Sequence, residues 1–283
     1  MSPAALELRS GALRLALRPD LGGCIAGLWL DELPVMRSTE AALLASSRPS
    51  ACYPLVPYSN RLGYRRFRWL GADHTTAPNF DDNPHSVHGV AWQRPWQVLS
   101  STPDVAEIAY RHQPDEHWPF AFEARQRFVL TPAGLTVSLG FDNLAEHAQP
   151  VGLGWHPYFP KRQRSRLHIE LAERWESDAT GLPTRKVPQP GIDADVAHLA
   201  FDNCFEGWRG AARLRDEKLS LRLTSSLPYL VVFTPATRDY YCVEPVSHVS
   251  NAIHMTDPLA HGLRSVEPGA GTEAWMKLEV AAV

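Results

Sequence analysis

No apolar run in the 283 residues approaches the roughly 18 needed to span a membrane. Glu7 and Arg9 stand where a secretory leader would carry its apolar core. Cysteine is also scarce. Cys24, Cys52, Cys204 and Cys242 form no C-x-x-C pair and no disulfide-dense spacing. That usage fits reduced thiols buried as small hydrophobes in a cytoplasmic protein. Neither charge sign is in excess: 28 Lys plus Arg against 31 Asp plus Glu leave a net charge of -3. Such a surface offers no general attraction to a phosphate backbone or an anionic membrane, so neither nucleic acid nor membrane is expected as a partner. No G-x-S-x-G elbow or Walker sequence occurs, and Gly22-Gly23-Cys24-Ile25-Ala26-Gly27 has the wrong spacing for a dinucleotide fingerprint. Nucleotide binding and α/β-hydrolase chemistry therefore fall away. Helical periodicity is nearly missing too, with only 38–47 (STEAALLASS) reading as a short helix.

What is present is alternation with period two from end to end, the mark of half-buried strands. Leu13, Leu15 and Leu17 alternate with arginines, and the pattern returns in Leu167, Ile169 and Leu171, in Leu219, Leu221 and Leu223, and in Met276, Leu278 and Val280. Ala124, Phe128 and Leu130 face one way before Thr131-Pro132-Ala133-Gly134, and Leu135, Val137, Leu139 and Phe141 follow, which predicts a long hairpin. The 24 prolines and 18 glycines are spread rather than clustered and mark no interdomain linker. The expectation is all-β: one large antiparallel domain over 1–283, with core enough to fold without metal or disulfides. Long polar or Pro-rich connections at 71–96, 111–120, 154–166 and 176–206 are where binding groups on a rigid sheet would sit.

Twelve histidines make a metal site worth testing, and His85 with His88 is the closest pair. On a strand their odd separation would turn the rings to opposite faces, and no other cluster in the sequence supplies the missing ligands. Neither a metal nor a cofactor is expected.

Polar and titratable groups gather among aromatics in Pro57-Tyr58-Ser59-Asn60-Arg61-Leu62-Gly63, His85-Ser86-Val87-His88-Gly89-Val90-Ala91-Trp92, Gly154-Trp155-His156-Pro157-Tyr158-Phe159, Phe201-Asp202-Asn203-Cys204-Phe205 and Val243-Glu244-Pro245-Val246-Ser247. Singly, each has a plain structural explanation as a surface arginine, a satisfied histidine or a turn-capping acid. Together they supply polar groups for sugar hydroxyls and flat apolar walls for the C–H face of a pyranose.

In N-R-L-G at 60–63, H-G at 88–89, G-W-H-P-Y-F at 154–159, F-D-N-C-F at 201–205 and V-E-P at 243–245, in that order, the chain resembles the aldose 1-epimerase, or galactose mutarotase, family. The likeness runs from the glycine turn at 22–27 to Val266-Glu267-Pro268-Gly269. It implies a β-supersandwich and a metal-free, cofactor-free interconversion of the α and β anomers of a free sugar by a monomer or homodimer. Carried over by position, Glu244 is the general base and His156 the general acid, while Arg61, His88, Asp202 and Asn60 bind the sugar. His85 stands three residues before His88, and which of the two meets the sugar is left open, with His88-Gly89 the better match.

Opening a cyclic hemiacetal removes a proton from the anomeric hydroxyl while another arrives at the ring oxygen. That asks for a base and an acid on opposite sides of one carbon, and reference pKa values of about 4.3 and 6.5 suit a carboxylate and an imidazole to the two parts. Two basic runs, Arg65-Arg66-Phe67-Arg68 and Lys161-Arg162-Gln163-Arg164-Ser165-Arg166, directly follow two of the motifs. They keep open an anionic sugar, a hexose 6-phosphate or sulfo-sugar, held by an arginine rim. A carbohydrate-binding protein that keeps the pocket without the reaction, and a cupin-like metal enzyme, are the alternatives from other classes.

Overall fold

The computed structural model describes residues 5–283. Two antiparallel sheets dominate. The larger has nine strands in the order Gln97–Ser101, Val105–His112, Phe122–Thr131, Gly134–Asn143, Gly271–Ala282, Leu219–Ser225, Ala211–Arg215, Arg166–Ile169, Ile192–Asp195. The other runs Pro183–Pro188, Glu173–Ser177, Asp202–Glu206, Tyr229–Phe233, Tyr240–Val246, Gly154–Trp155, Pro54–Leu55, with Tyr158–Pro160 also paired to Tyr240–Val246. A four-stranded sheet built from Leu6–Ser10, Leu13–Arg18, Cys24–Leu30 and Leu33–Pro34 completes the layers. The all-β architecture read from the alternation is the one the chain adopts.

The predicted hairpin forms as Phe122–Thr131 against Gly134–Asn143, with Thr131 opposite Gly134 across the Pro132-Ala133 turn. Its alternate residues Ala124, Phe128, Leu130, Leu135, Val137, Leu139 and Phe141 are all buried. They share one apolar cluster with Phe205, Leu230, Val232, Tyr241 and Val243 of the eight-stranded sheet. The intervening residues of that second sheet, Cys204, Val231 and Cys242, belong to a separate cluster on its opposite face. Because successive strand residues point to opposite sides, the sheet has one face in the sandwich and another free to build a site.

Two expectations change. The segment 38–47 holds only a single 3-10 turn, Ala41–Leu43. The Ala41 carbonyl accepts the Leu44 N–H that closes this turn, and the Ala41 and Leu44 carbonyls both accept Nη1 of buried Arg18, which takes the place of a continuing helix. Leu43 is 76% exposed, so no apolar stripe remains to stabilise so short a helix. The stretch 176–206, taken as a polar connection, contains the strands Pro183–Pro188, Ile192–Asp195 and Asp202–Glu206. The first two lie at sheet edges, where prolines and charges are tolerated and alternation weakens. Among the described residues no helix is long and apolar enough to cross a membrane.

Candidate functional site

Glu244 lies in the strand Tyr240–Val246, opposite Val231 of its neighbour. Cys242 precedes it by two residues and shares its face, turned away from the sandwich core. Asp202 begins the strand on the far side of Tyr229–Phe233, opposite Phe233. His156 follows the short strand Gly154–Trp155, and its backbone N–H donates to the Tyr53 carbonyl at 3.0 Å. Tight turns bring in the remaining groups. Asn60 and His88 both have left-handed backbones, with φ of 57° and 66°. They clasp each other: the His88 N–H donates to the Asn60 carbonyl at 2.8 Å, and the Asn60 N–H donates to Nδ1 of His88 at 3.1 Å. Gly89 is required beside them, since a Cβ there would stand 2.4 Å from the Val56 carbonyl oxygen.

These elements converge on an open cleft of about 180 Å³ lined by Asn60, Arg61, His88, His156, Asp202 and Glu244. The volume is below the roughly 300–1,000 Å³ of sites for drug-sized ligands and suits one small polar molecule. His88, not His85, lines it. His85 is wholly buried, and its Nδ1 accepts the Tyr64 N–H at 2.9 Å. Arg61 donates from Nη1 to Asn60 Oδ1 at 3.1 Å and pairs with Asp202 at 3.5 Å. Asn60 Oδ1 also receives the Arg61 N–H at 2.9 Å and the Ser250 hydroxyl at 2.8 Å. With three donors on one oxygen, Asn60 is occupied in holding Arg61.

At the floor, Nε2 of His156 lies 3.4 Å from Oε1 of Glu244, and both residues are almost fully buried. The pair stands side by side instead of on opposite sides of a substrate. Both proton positions of a hemiacetal carbon, its hydroxyl and its ring oxygen, are bonded to that one carbon, so an adjacent pair can serve them both. Burial pushes the Glu244 carboxyl well above its ordinary range, and the negative Asp202 adds to this while Arg61 opposes it. Burial drives His156 well below 6.5, aided by His88 and Arg37. Without a ligand the pair thus favours a protonated carboxyl and a neutral imidazole, the reverse of what reference values suggest. Burial likewise lowers His88 to about 3. Its Nδ1 accepts from Asn60, so the neutral ring carries its proton on Nε2 as a donor.

Phe80, Asn83, Val87 and Phe233 also line the cleft and were not singled out from sequence. Phe80 and Asn83 sit in an irregular loop with no pattern to mark them. Behind His156, Tyr53 stacks on Trp92 at 5.1 Å between ring centroids, but neither ring lines the cleft, whose aromatic side chains are Phe80 and Phe233. The fold also assembles a donor set invisible in sequence: ligand atoms of His156, Cys242 and Glu244 lie within 4.8 Å of one another. Three donors are one short of a closed structural zinc site. The basic runs go elsewhere. Arg162 pairs with Asp216 at 2.6 Å, Arg166 with Asp193 at 2.9 Å and Arg68 with Asp73 at 3.1 Å, and no residue of either run lines the cleft. All four cysteines are buried and free.

The family model for aldose 1-epimerase matches residues 4–279. The uncharacterized Escherichia coli K12 protein YphB is 31% identical, with 96% of this chain and 97% of that protein covered. The uncharacterized YihR of the same organism is 27% identical, covering 71% of this chain and 70% of its own. Among solved structures, a candidate aldose 1-epimerase from Escherichia coli K12 superposes with a TM-score of 0.88 at 28% identity, covering 99% of both chains. A galactose mutarotase-like protein from Clostridium acetobutylicum has the same TM-score at 18% identity over 99% and 95% of the two chains, and so shares the fold.

Proposed function

Since the chain belongs to the aldose 1-epimerase family, we propose that it is a mutarotase, interconverting the α and β anomers of a free, uncharged aldose with Glu244 as base and His156 as acid. The observation that carries this is the buried Glu244–His156 pair at 3.4 Å on the floor of a cleft whose walls hold Arg61, His88 and Asp202. A module that only bound sugar would have no use for a buried acid and base in proton-sharing contact. With the cyclic sugar bound, Glu244 takes the anomeric hydroxyl proton while His156 delivers one to the ring oxygen and the C1–O5 bond breaks. Rotation about C1–C2 presents the other carbonyl face, and the two transfers run in reverse. The step starts from the less populated arrangement of the singly protonated pair, carboxylate with imidazolium, and in effect moves one proton from His156 to Glu244, the direction that burial favours.

Arg61, His88 Nε2 and Asp202 hold the remaining hydroxyls and leave C1 free to turn, so that neither anomer is favoured. Asn60 keeps Arg61 in place. An uncharged substrate is favoured over a phosphorylated one because Arg61 faces Asp202 and Glu244 in the cleft, while no residue of the neighbouring basic runs lines it and Arg68, Arg162 and Arg166 pair with other acids. Polarimetry on freshly dissolved single anomers tests the reading. Glu244→Gln and His156→Asn should each lower kcat by about 10²–10⁴ with KM changed little. Near-normal turnover in either variant removes that residue from its role, and faster equilibration of glucose 6-phosphate than of every neutral aldose overturns the substrate class.

A further inference from the structure

The His156 imidazole lies flat on Tyr158, with centroids 4.4 Å apart and the rings inclined by 19°. On Tyr158 there also sits a cation: Cζ of Arg37 is 3.6 Å from the ring centroid, and 4.6 Å from that of Tyr240. The guanidinium is held from behind, Nε and Nη2 donating to the Ser50 carbonyl at 3.2 and 2.6 Å and Nη2 to the Arg48 carbonyl at 2.9 Å. Its backbone N–H donates to the Tyr158 carbonyl at 2.8 Å, which ties it to the same ring. Among the described residues no carboxylate lies within ion-pair reach of Arg37. A half-buried positive charge is therefore left uncompensated next to the proposed acid, facing aromatic π-clouds that a cation finds favourable.

We propose that Arg37 is a positioning residue for the reaction: through the Tyr158 ring it keeps the His156 imidazole flat and places a fixed positive charge behind it, so that His156 hands its proton to the sugar ring oxygen. This rests on the reading of His156 as the acid. The groups facing His156 from the other elements are Glu244 and Cys242 of the strand Tyr240–Val246, Tyr53 before Pro54, and His88 across the cleft at 5.1 Å between ring centroids. Arg61 and Asp202 act one step further out, on Glu244. Of the fixed charges, Arg37 is the one that acts on the imidazole directly, and its effect is to make His156 a stronger acid.

Arg37→Gln keeps a donor for the Ser50 carbonyl and removes the charge, whereas Arg37→Lys keeps the charge. On this reading the acid limb of the wild-type kcat profile should be the entry of a second proton onto the Glu244–His156 pair, which removes the base. Loss of the Arg37 charge favours the imidazolium, so in R37Q the limb should move to higher pH by about half a unit or more, while R37K titrates near wild type. The same upward shift should appear in the His156 imidazole resonance of the ligand-free protein, assigned by its loss in His156→Asn. An R37Q protein of normal melting temperature with unmoved titration and pH profile overturns the proposal. So does an R37K shift as large as that of R37Q, which would mark a purely structural arginine. Arg37→Met, whose stem still covers Tyr158, replaces R37Q if that variant does not fold. The resonance is read without turnover, so a wild type inactive on every aldose would defeat the mutarotase reading while the titration still decides the influence of Arg37.

Discussion

In the proposed reaction, Glu244 carries a conflict between stability and function. Its folded pKa is raised, so the folded state binds the proton more tightly than the unfolded chain does, and its contribution is favourable at low pH. As pH climbs above the ordinary carboxyl value of about 4.3, the unfolded chain gains by ionising while the buried carboxyl resists, and stability is lost. Glu244→Gln should therefore melt higher than wild type at pH 8, with the difference shrinking toward pH 4.5, as seen by calorimetry. A variant less stable than wild type at every pH would show that the carboxyl makes a folding contact beyond those described. The same residue scale shows how motif residues could be read from sequence. Asn60, Arg61, His88, His156, Asp202 and Glu244 each stand beside aromatic or turn residues, an arrangement that a plain strand does not need. Cys242 could have been found by stepping back two positions from Glu244 along its strand. Arg37 could not, because nothing within 38–47 or before it links that arginine to Tyr158.

Among the elements, the loop 178–182 matters although no motif marks it. Asp178 Oδ1 accepts the N–H groups of Thr180 and Leu182 at 2.8 and 3.1 Å, which curls the loop, and Gly181 sits at φ 84°. A Cβ on Gly181 would lie 2.5 Å from Cζ of Arg61, so the bare backbone is what allows the guanidinium to reach Asn60 and Asp202. Gly181→Ala should move Arg61 and lower kcat/KM by about 10- to 100-fold, mostly through KM, with little change in the pH profile. Steady-state kinetics on the preferred aldose would check this, and a loss confined to kcat would contradict it. Strand periodicity was legible wherever one face is buried, as in Phe122–Thr131 and Leu219–Ser225. It was illegible in Pro183–Pro188 and Ile192–Asp195, whose burial is low because each has a partner on one side only.

Over the whole molecule, the apolar interior and the cleft lie on opposite faces of the eight-stranded sheet. Damage to the interior should therefore reach the cleft mainly by way of stability. Phe128, fully buried in the shared cluster, should cost about 3–5 kcal/mol when cut to Ala, measured by urea unfolding, with kcat near wild type wherever the variant is folded. A kcat that falls while the fold persists would mean that the two faces are coupled. The small net charge of -3 fits the proposed uncharged substrate, which needs no steering field.

Period-two alternation, turn residues at their required positions and the five motif segments are local properties, and they determined the all-β class and six of the groups that meet in the cleft. Tertiary structure decided what depends on distance across the chain. It brought His88 and not His85 to the cleft, because the clasp with Asn60 turns one ring into it while the other is buried against the Tyr64 N–H. It kept both basic runs out of the cleft and paired Arg162, Arg166 and Arg68 with Asp216, Asp193 and Asp73. It also set the protonation preference of Glu244 and His156, since burial and the neighbouring charges that shift them come from segments up to 183 residues apart, beyond the reach of any local pattern.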